Sequence, residues 1–303
     1  MICGETSSTG GLHAHTSTVL YGLYVRVVVN QPIVVAEITS LARPKPFRFQ
    51  SRDGLSIHGY ATAPPGAEVA LPTVMLVHGG PWTRDNWVFH LEAQWLANRG
   101  YLVLQVNFRG STGYGKHFRN AGNKAWGTWM QHDLEDAVQH ACDRGWTDPK
   151  RVGIFGASYG GYAALCGVAF APSLYRCAVS SCGPANLLTL LDSLPAYWHG
   201  TRSLMLGRVG DPDGEAGLLW QHSPLSRVDA ITAPLLLAHG LKDPRVKAAE
   251  VEQLLAALRR NGVHHQHLRF DDEGHALLKP KNREVFYATA ERFLATHLGG
   301  RCE

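Results

Sequence analysis

Ser158 stands in Gly156-Ala157-Ser158-Tyr159-Gly160-Gly161, between the apolar run Val152–Phe155 and the helix-compatible Ala163-Ala164-Leu165. A serine hydroxyl is a weak nucleophile in water. It becomes useful where a sharp strand-to-helix turn exposes it beside a base and near backbone N–H groups that can hold an oxyanion. Gly156 and Gly160 let strand and helix pass closely at such a bend, where a Cβ would crowd it. A Gly/Ser-rich turn of no chemical consequence has the same spelling, so the partners decide.

Asp243 lies in His239-Gly240-Leu241-Lys242-Asp243-Pro244-Arg245-Val246, beyond the apolar run Leu235–Ala238, and His275 lies in Asp271-Asp272-Glu273-Gly274-His275, beyond the strand-like His267–Phe270. Serine, then aspartate, then histidine is the chain order of an α/β-hydrolase triad. Both partners follow strands, at the end of an open sheet where catalysis belongs. Asp271, Asp272 and Glu273 are too near His275 in sequence to orient it easily and read as a solvated acidic loop, while Asp229 precedes its strand. The expected catalytic set is Ser158, Asp243 and His275.

An oxyanion hole on this plan takes one N–H from the residue after the nucleophile, Tyr159, and one from the loop after an early strand. That loop is His78-Gly79-Gly80-Pro81-Trp82, behind Thr73–Val77. Gly80 is the preferred second donor, with Gly79 as the alternative, and His78 reads as an anchor for the loop. Trp82, Tyr197 and Trp198 are the candidate lining of the substrate pocket, although aromatic residues in such stretches more often only pack an insertion onto the body. Proton transfer among these groups needs no metal and no cofactor.

Strand-like segments near 47–50, 55–62, 73–78, 101–107, 151–155, 176–181, 234–239 and 266–270 alternate with helix-like ones near 88–99, 129–144, 159–169, 246–261 and 284–297. The alternation predicts an α/β fold, a mostly parallel, doubly wound sheet with helices on both faces. Residues 46–300 form this catalytic domain, with an insertion near 184–228 over the site. Residues 1–45 form an N-terminal extension in which Val19–Val29 and Ile33–Ile38 read as a β-hairpin around Asn30-Gln31-Pro32. An isolated hairpin is marginal in water and an open apolar edge invites a second chain, so residues 15–40 are expected to contribute to a homo-oligomer.

The motifs His78-Gly79-Gly80-Pro81, Asn107-Phe108-Arg109-Gly110-Ser111-Thr112-Gly113-Tyr114-Gly115, the Ser158 elbow, the Asp243 segment and Asp272-Glu273-Gly274-His275 together resemble the catalytic domain of the prolyl oligopeptidase family, especially its acylaminoacyl-peptidase and dipeptidyl-aminopeptidase-like branch. The likeness runs from about residue 46 to 300. It implies the α/β-hydrolase fold, Ser158 as nucleophile with Asp243 and His275 as partners, and Tyr159 in the oxyanion hole. Two departures bear on substrate. Family members ordinarily carry a β-propeller that screens substrates by size, and only residues 1–45 precede the domain here, so no β-propeller is expected. A tyrosine before the Gly pair, typical of prolyl endopeptidases, is replaced by His78, as in the acylaminoacyl-peptidase branch, which argues against strict prolyl specificity.

The composition of 303 residues, 45% hydrophobic and 18% charged, suffices for one full α/β core. The net charge of +4 comes from dispersed Lys and Arg without a dense basic run, so no nucleic-acid partner is expected. The six cysteines show no Cys-x-x-Cys pair and read as reduced. Val19–Leu41 is interrupted by Arg26, Asn30, Gln31, Pro32 and Glu37, which fits neither a signal peptide nor a membrane span; a cytoplasmic enzyme with no membrane partner is expected. Gly110–Lys116 imitates a phosphate loop, but His117 follows where Ser or Thr would ligate magnesium. His264, His265 and His267 do not all share a strand face and read as a solvated turn rather than a zinc site.

The reading is a serine hydrolase acting through an acyl-enzyme. An unscreened site without groups for peptide termini favours small acyl esters, with an oligopeptidase or acylaminoacyl peptidase acting on short peptides as the alternative. A non-catalytic binding protein on a hydrolase scaffold is the minor alternative, and such proteins usually carry a broken triad.

Overall fold

Apolar runs such as Leu102–Val106 and Leu235–Ala238 have no polar face to turn to water, so the sheet they form needs cover on both sides. The computed structural model supplies it, describing residues 24–29, 31–37, 41–67, 70–194 and 199–303. Residues 1–23, Tyr197 and Trp198 lie outside the described residues. The chain divides after Leu41 into two units. In the first, β1 (Tyr24–Val29) pairs antiparallel with β2 (Gln31–Glu37), Tyr24 opposite Glu37 and Val27 opposite Val34.

The second unit is built on β3 (Lys45–Gln50), β4 (Ser56–Thr62), β5 (Leu71–Val77), β6 (Leu102–Asn107), β7 (Thr147–Ala157), β8 (Cys177–Ser181), β9 (Leu235–Gly240) and β10 (His265–Phe270). They form one sheet of eight strands in the order β10-β9-β8-β7-β5-β6-β4-β3. The pairs β3/β4 and β4/β6 are antiparallel and the remaining pairs parallel. Between them run α1 (Leu91–Asn98), α2 (Gly115–Asn120), α3 (Trp129–Asp143), α4 (Tyr159–Phe170), α5 (Leu187–Asp192), α6 (His199–Arg208), α7 (Pro212–Gln221), α8 (Ala248–Arg260) and α9 (Pro280–Leu298).

The two-residue period of a strand sends alternate side chains to opposite faces, which makes the sheet doubly wound. Met75, Ile154, Leu235 and Leu237 enter a core shared with Leu134 and Val138 of α3, α4, and Leu254 and Leu258 of α8. Their neighbours Val74, Phe155, Leu236 and Ala238 enter the opposite core with Leu96 of α1 and Phe286, Ala290 and Phe293 of α9. Among the described residues no helix is long and apolar enough to cross a membrane.

Each strand expected from the alternation is present. Helix α1 starts at Leu91 rather than 88, because Trp87, Val88 and Phe89 are exposed and His90 caps the helix by accepting the Ala93 N–H. The weak signals over 184–228 become α5, α6, α7 and a 3₁₀ helix over Pro224–Ala230. Long-range bonds compensate for poor local propensity there. The buried carboxylate of Glu250 on α8 accepts N–H bonds from Ala185 and Asn186 and the hydroxyl of Thr189, tying the start of α5 to the body.

Helix α4 can follow β7 so abruptly only because its first turn lies against the backbone of β5. A Cβ on Gly160 would sit 2.1 Å from the Val77 carbonyl oxygen. Since backbone rather than a flexible side chain blocks the space, Gly160→Ala is expected to destabilise the protein by ~1–3 kcal/mol, read as a lower urea midpoint at unchanged m-value.

Candidate active site

Ser158 occupies the bend between β7 and α4 with φ 59° and ψ −121°, a left-handed conformation that costs a non-glycine residue ~1–3 kcal/mol. Surrounding bonds hold it there: the Ser158 N–H donates to the Ser181 carbonyl (2.9 Å), and the Tyr162 N–H donates to the Ser158 carbonyl (3.0 Å). The strained turn leaves Oγ 2.9 Å from Nε2 of His275. On the other side of the ring, Nδ1 is 2.7 Å from Oδ2 of Asp243.

Asp243 is held in its turn. Its Oδ1 accepts the N–H groups of Arg245 (2.8 Å) and Val246 (3.0 Å), and its side chain is fully buried. Burial alone would raise the carboxyl pKa, but the His275 bond, the backbone N–H groups and the His275 charge outweigh it, keeping Asp243 below the ordinary carboxylate value. The three side chains come from the carboxyl ends of β7, β9 and β10, so the parallel sheet brings together residues far apart in sequence.

The Tyr159 N–H opens α4, where a helix has no internal acceptor to offer. Among the described residues neither it nor the Gly80 N–H donates to a backbone acceptor. Gly80 lines the cavity beside Ser158, whereas Gly79 packs on the elbow, where an added Cβ would lie 3.1 Å from the Ala157 carbonyl. His78 bonds the Gly79 carbonyl through Nδ1 (2.8 Å) and the Ser111 hydroxyl through Nε2 (3.0 Å), and it stacks on Phe108. Burial pushes its pKa down to about 4, so it is a neutral anchor for the loop. A second anchor is Arg109, paired with buried Asp133 and with Asp53, which fixes the segment after β6.

A cavity of about 370 Å³ opens on Ser158 and His275. Trp82, one of the candidates from the sequence, is placed at this cavity, with the Arg208 guanidinium 5.7 Å from its ring. Trp126, Leu190, Leu194 and Met205 complete the apolar wall and Arg245 stands at the cavity as a charged group. None of these was singled out by motif. Position Arg245 could have been, since it sits two residues after Asp243; the apolar residues carry no local signal that distinguishes wall from core. His265 lies at the start of β10 with Nδ1 on the Val263 carbonyl, and His264 precedes the strand.

The description of the prolyl oligopeptidase family matches residues 87–301. Dipeptidyl aminopeptidase BIII of Pseudoxanthomonas mexicana is 46% identical over 85% of the chain and 39% of its own length. The chain belongs to the prolyl oligopeptidase family. Dipeptidyl peptidase family member 6 of Caenorhabditis elegans is 39% identical over 85% of the chain and 38% of its own length. A puromycin-hydrolyzing peptidase of Mycobacterium tuberculosis superposes with a TM-score of 0.82 at 27% identity, over 92% of this chain and 44% of that one. The fold is the α/β-hydrolase fold, as the ordered motifs implied. This prolyl oligopeptidase family chain spans about two fifths of the length of the curated relatives it matches. Because those relatives extend well beyond the aligned stretch, the basis for expecting an unscreened site disappears, and with it the preference for small esters.

The site also sets a pH dependence for this family member. Burial opposes protonation of His275, but the bond to Asp243, the contact with Cys182 and the Asp243 charge together raise its pKa from 6.5 to about 9. A general base must be neutral to accept a proton, so activity falls about tenfold for each pH unit below that pKa and levels off above it. We expect the acid limb of kcat/KM to be centred near pH 9, well above the unperturbed imidazole value, measurable with a buffered rate series on an anilide substrate.

Proposed function

We propose that this chain is the catalytic domain of a serine peptidase that releases short N-terminal units from peptides, of the dipeptidyl or acylaminoacyl type. The observation that carries the reading is the unbroken line Asp243 Oδ2, His275 Nδ1 and Nε2, Ser158 Oγ, with contacts of 2.7 and 2.9 Å, opening on an apolar cavity. His275 Nε2 takes the Ser158 proton as Oγ adds to the substrate carbonyl. The N–H groups of Tyr159 and Gly80 face the developing oxyanion and stabilise it more than the ground-state carbonyl. His275 then returns the proton to the leaving amine, and water repeats the sequence on the acyl-enzyme. Asp243 keeps the imidazole in the tautomer whose Nε2 can accept.

The wall of Trp82, Trp126, Leu190 and Met205 suits an apolar side chain next to the scissile bond. Names of relatives support a peptide rather than an ester substrate: two are dipeptidyl peptidases, and a further similar structure, 27% identical with a TM-score of 0.79, is an acylaminoacyl peptidase in complex with a peptidyl chloromethyl ketone. The test is a kinetic panel of dipeptidyl and acylaminoacyl p-nitroanilides against short p-nitrophenyl esters. Anilides with an apolar residue at the scissile position should exceed charged ones by ~10–200-fold in kcat/KM. Turnover of esters with every peptidyl anilide inert would overturn the peptidase reading.

A further inference from the structure

Cys182 takes no part in the reaction just described, yet it lies behind the catalytic histidine. It follows β8, between the strands that deliver Ser158 and Asp243, and is 4% exposed. Its backbone adopts φ 43°, an unusual conformation for a non-glycine residue, and its N–H donates to the Ala238 carbonyl (2.8 Å). The thiol donates to the His275 carbonyl oxygen at 3.2 Å. One ligand atom from each of Cys182, Asp243 and His275 lies within 4.8 Å of the other two, and no other such group occurs among the described residues.

A thiolate, an imidazole nitrogen and a carboxylate oxygen form a characteristic donor set for zinc. Bonds of ~2.0–2.3 Å to a tetrahedral ion place its ligand atoms ~3.3–3.8 Å apart, so the Asp243 and His275 atoms, now 2.7 Å from each other, must open slightly while the Cys182 sulfur, within 4.8 Å of both, stays in reach of the same ion. Charge also balances, because one thiolate and one carboxylate neutralise a divalent cation and make its burial affordable.

We infer that Cys182, His275 and Asp243 form an inhibitory site for a thiophilic divalent cation, with Zn²⁺ or Cd²⁺ as its occupant. An ion shared by Asp243 and His275 replaces the proton that now bridges Nδ1 and Oδ2. The Cys182 S–H proton leaves to solvent, the imidazole proton moves by exchange from Nδ1 to Nε2, and three metal–ligand bonds form. Starting from the neutral imidazole one proton is released per ion; starting from the imidazolium the Nδ1 proton also leaves to solvent and two are released, and in neither case is an electron transferred. With hydrogen on Nε2 and the ion on Nδ1, His275 can donate to Ser158 but cannot take its proton, so catalysis stops. The inhibitory consequence rests on the proposed role of His275; metal binding does not.

The test combines a binding arm and an activity arm on the full chain, using metal salts alone as probes. Wild type, Cys182→Ala, Cys182→Ser and Ser158→Ala are titrated with Cd²⁺ and followed by the ultraviolet thiolate-to-cadmium charge-transfer band. Wild type and Ser158→Ala should show a thiolate–cadmium site that Cys182→Ala lacks, which controls for the other cysteines. In the activity arm, Zn²⁺ should inhibit wild type, EDTA should restore it, and Cys182→Ala, scaled to its own metal-free rate at each pH, should need at least ~10–100-fold more Zn²⁺, the loss that removing even a supporting partner of a ligand brings. Cys182→Ser supplies a near-isosteric variant should alanine perturb folding. Equal zinc sensitivity of wild type and both folded variants would overturn the site, as would identical charge-transfer titrations. If the peptidase reading fails and no substrate is turned over, the cadmium arm still decides the site.

Discussion

Ser158→Ala is expected to lower kcat by ~10⁴–10⁶ while leaving the fold intact, because residues that act as a unit lose nearly the whole chemical advantage when one is removed. The missing oxygen is the attacking atom, 2.9 Å from its base, and no second hydroxyl in the described cavity shares that contact. The alanine also relieves nothing that would mask the loss, since its Cβ must still adopt the φ of 59° at the elbow. Single-turnover kinetics on a peptidyl anilide would measure the effect, with circular dichroism as the folding control and an organophosphonate probe labelling wild type only. A folded variant keeping a tenth of wild-type turnover would remove Ser158 from the mechanism.

Asp243→Asn should cost ~10⁴ in kcat, by a different route. The asparagine amide can present an N–H toward Nδ1, which favours the imidazole tautomer whose Nε2 carries hydrogen and cannot accept the serine proton. Losing the carboxylate also removes the bond and charge that raise the His275 pKa to about 9 against its burial. The acid limb of kcat/KM should therefore move to lower pH as the plateau falls. Both changes appear in one pH–rate series, and a fall in the plateau with an unmoved limb would mean that Asp243 does not set the His275 ionisation.

These effects were legible to different degrees. The order of Ser158, Asp243 and His275, each after an apolar run, was sufficient to place them at one end of a sheet, since parallel strands in a doubly wound fold present their carboxyl ends together. The glycines around Ser158 signalled the tight bend for a steric reason that acts within a few residues. The pocket was not legible in the same way. Trp82 was visible because it adjoins the Gly80 loop, whereas Trp126, Leu190, Leu194 and Met205 come from separate segments and read as ordinary apolar residues until the insertion folds over the site.

The pH dependence shows the same division. An imidazole near 6.5 is all that a histidine in a sequence offers, and its shift to about 9 depends on a carboxylate 32 positions away and on a sulfur 93 positions away. Cys182 read only as one of six reduced cysteines; that it is buried, 4% exposed, and lies behind His275 follows from β8 lying between β7 and β9.

The sequence by itself determined the strand and helix alternation, the nucleophile turn, the order of the proton-transfer partners and the family, because each is written in residue types within a short window or in their order along the chain. Only the tertiary structure decided which apolar side chains wall the cavity, that Gly80 rather than Gly79 lines it, how strongly His275 holds its proton, and that a thiol completes a three-ligand cluster with it. Those properties depend on distances of a few ångströms between distant segments, which packing and sheet order set and local composition does not encode.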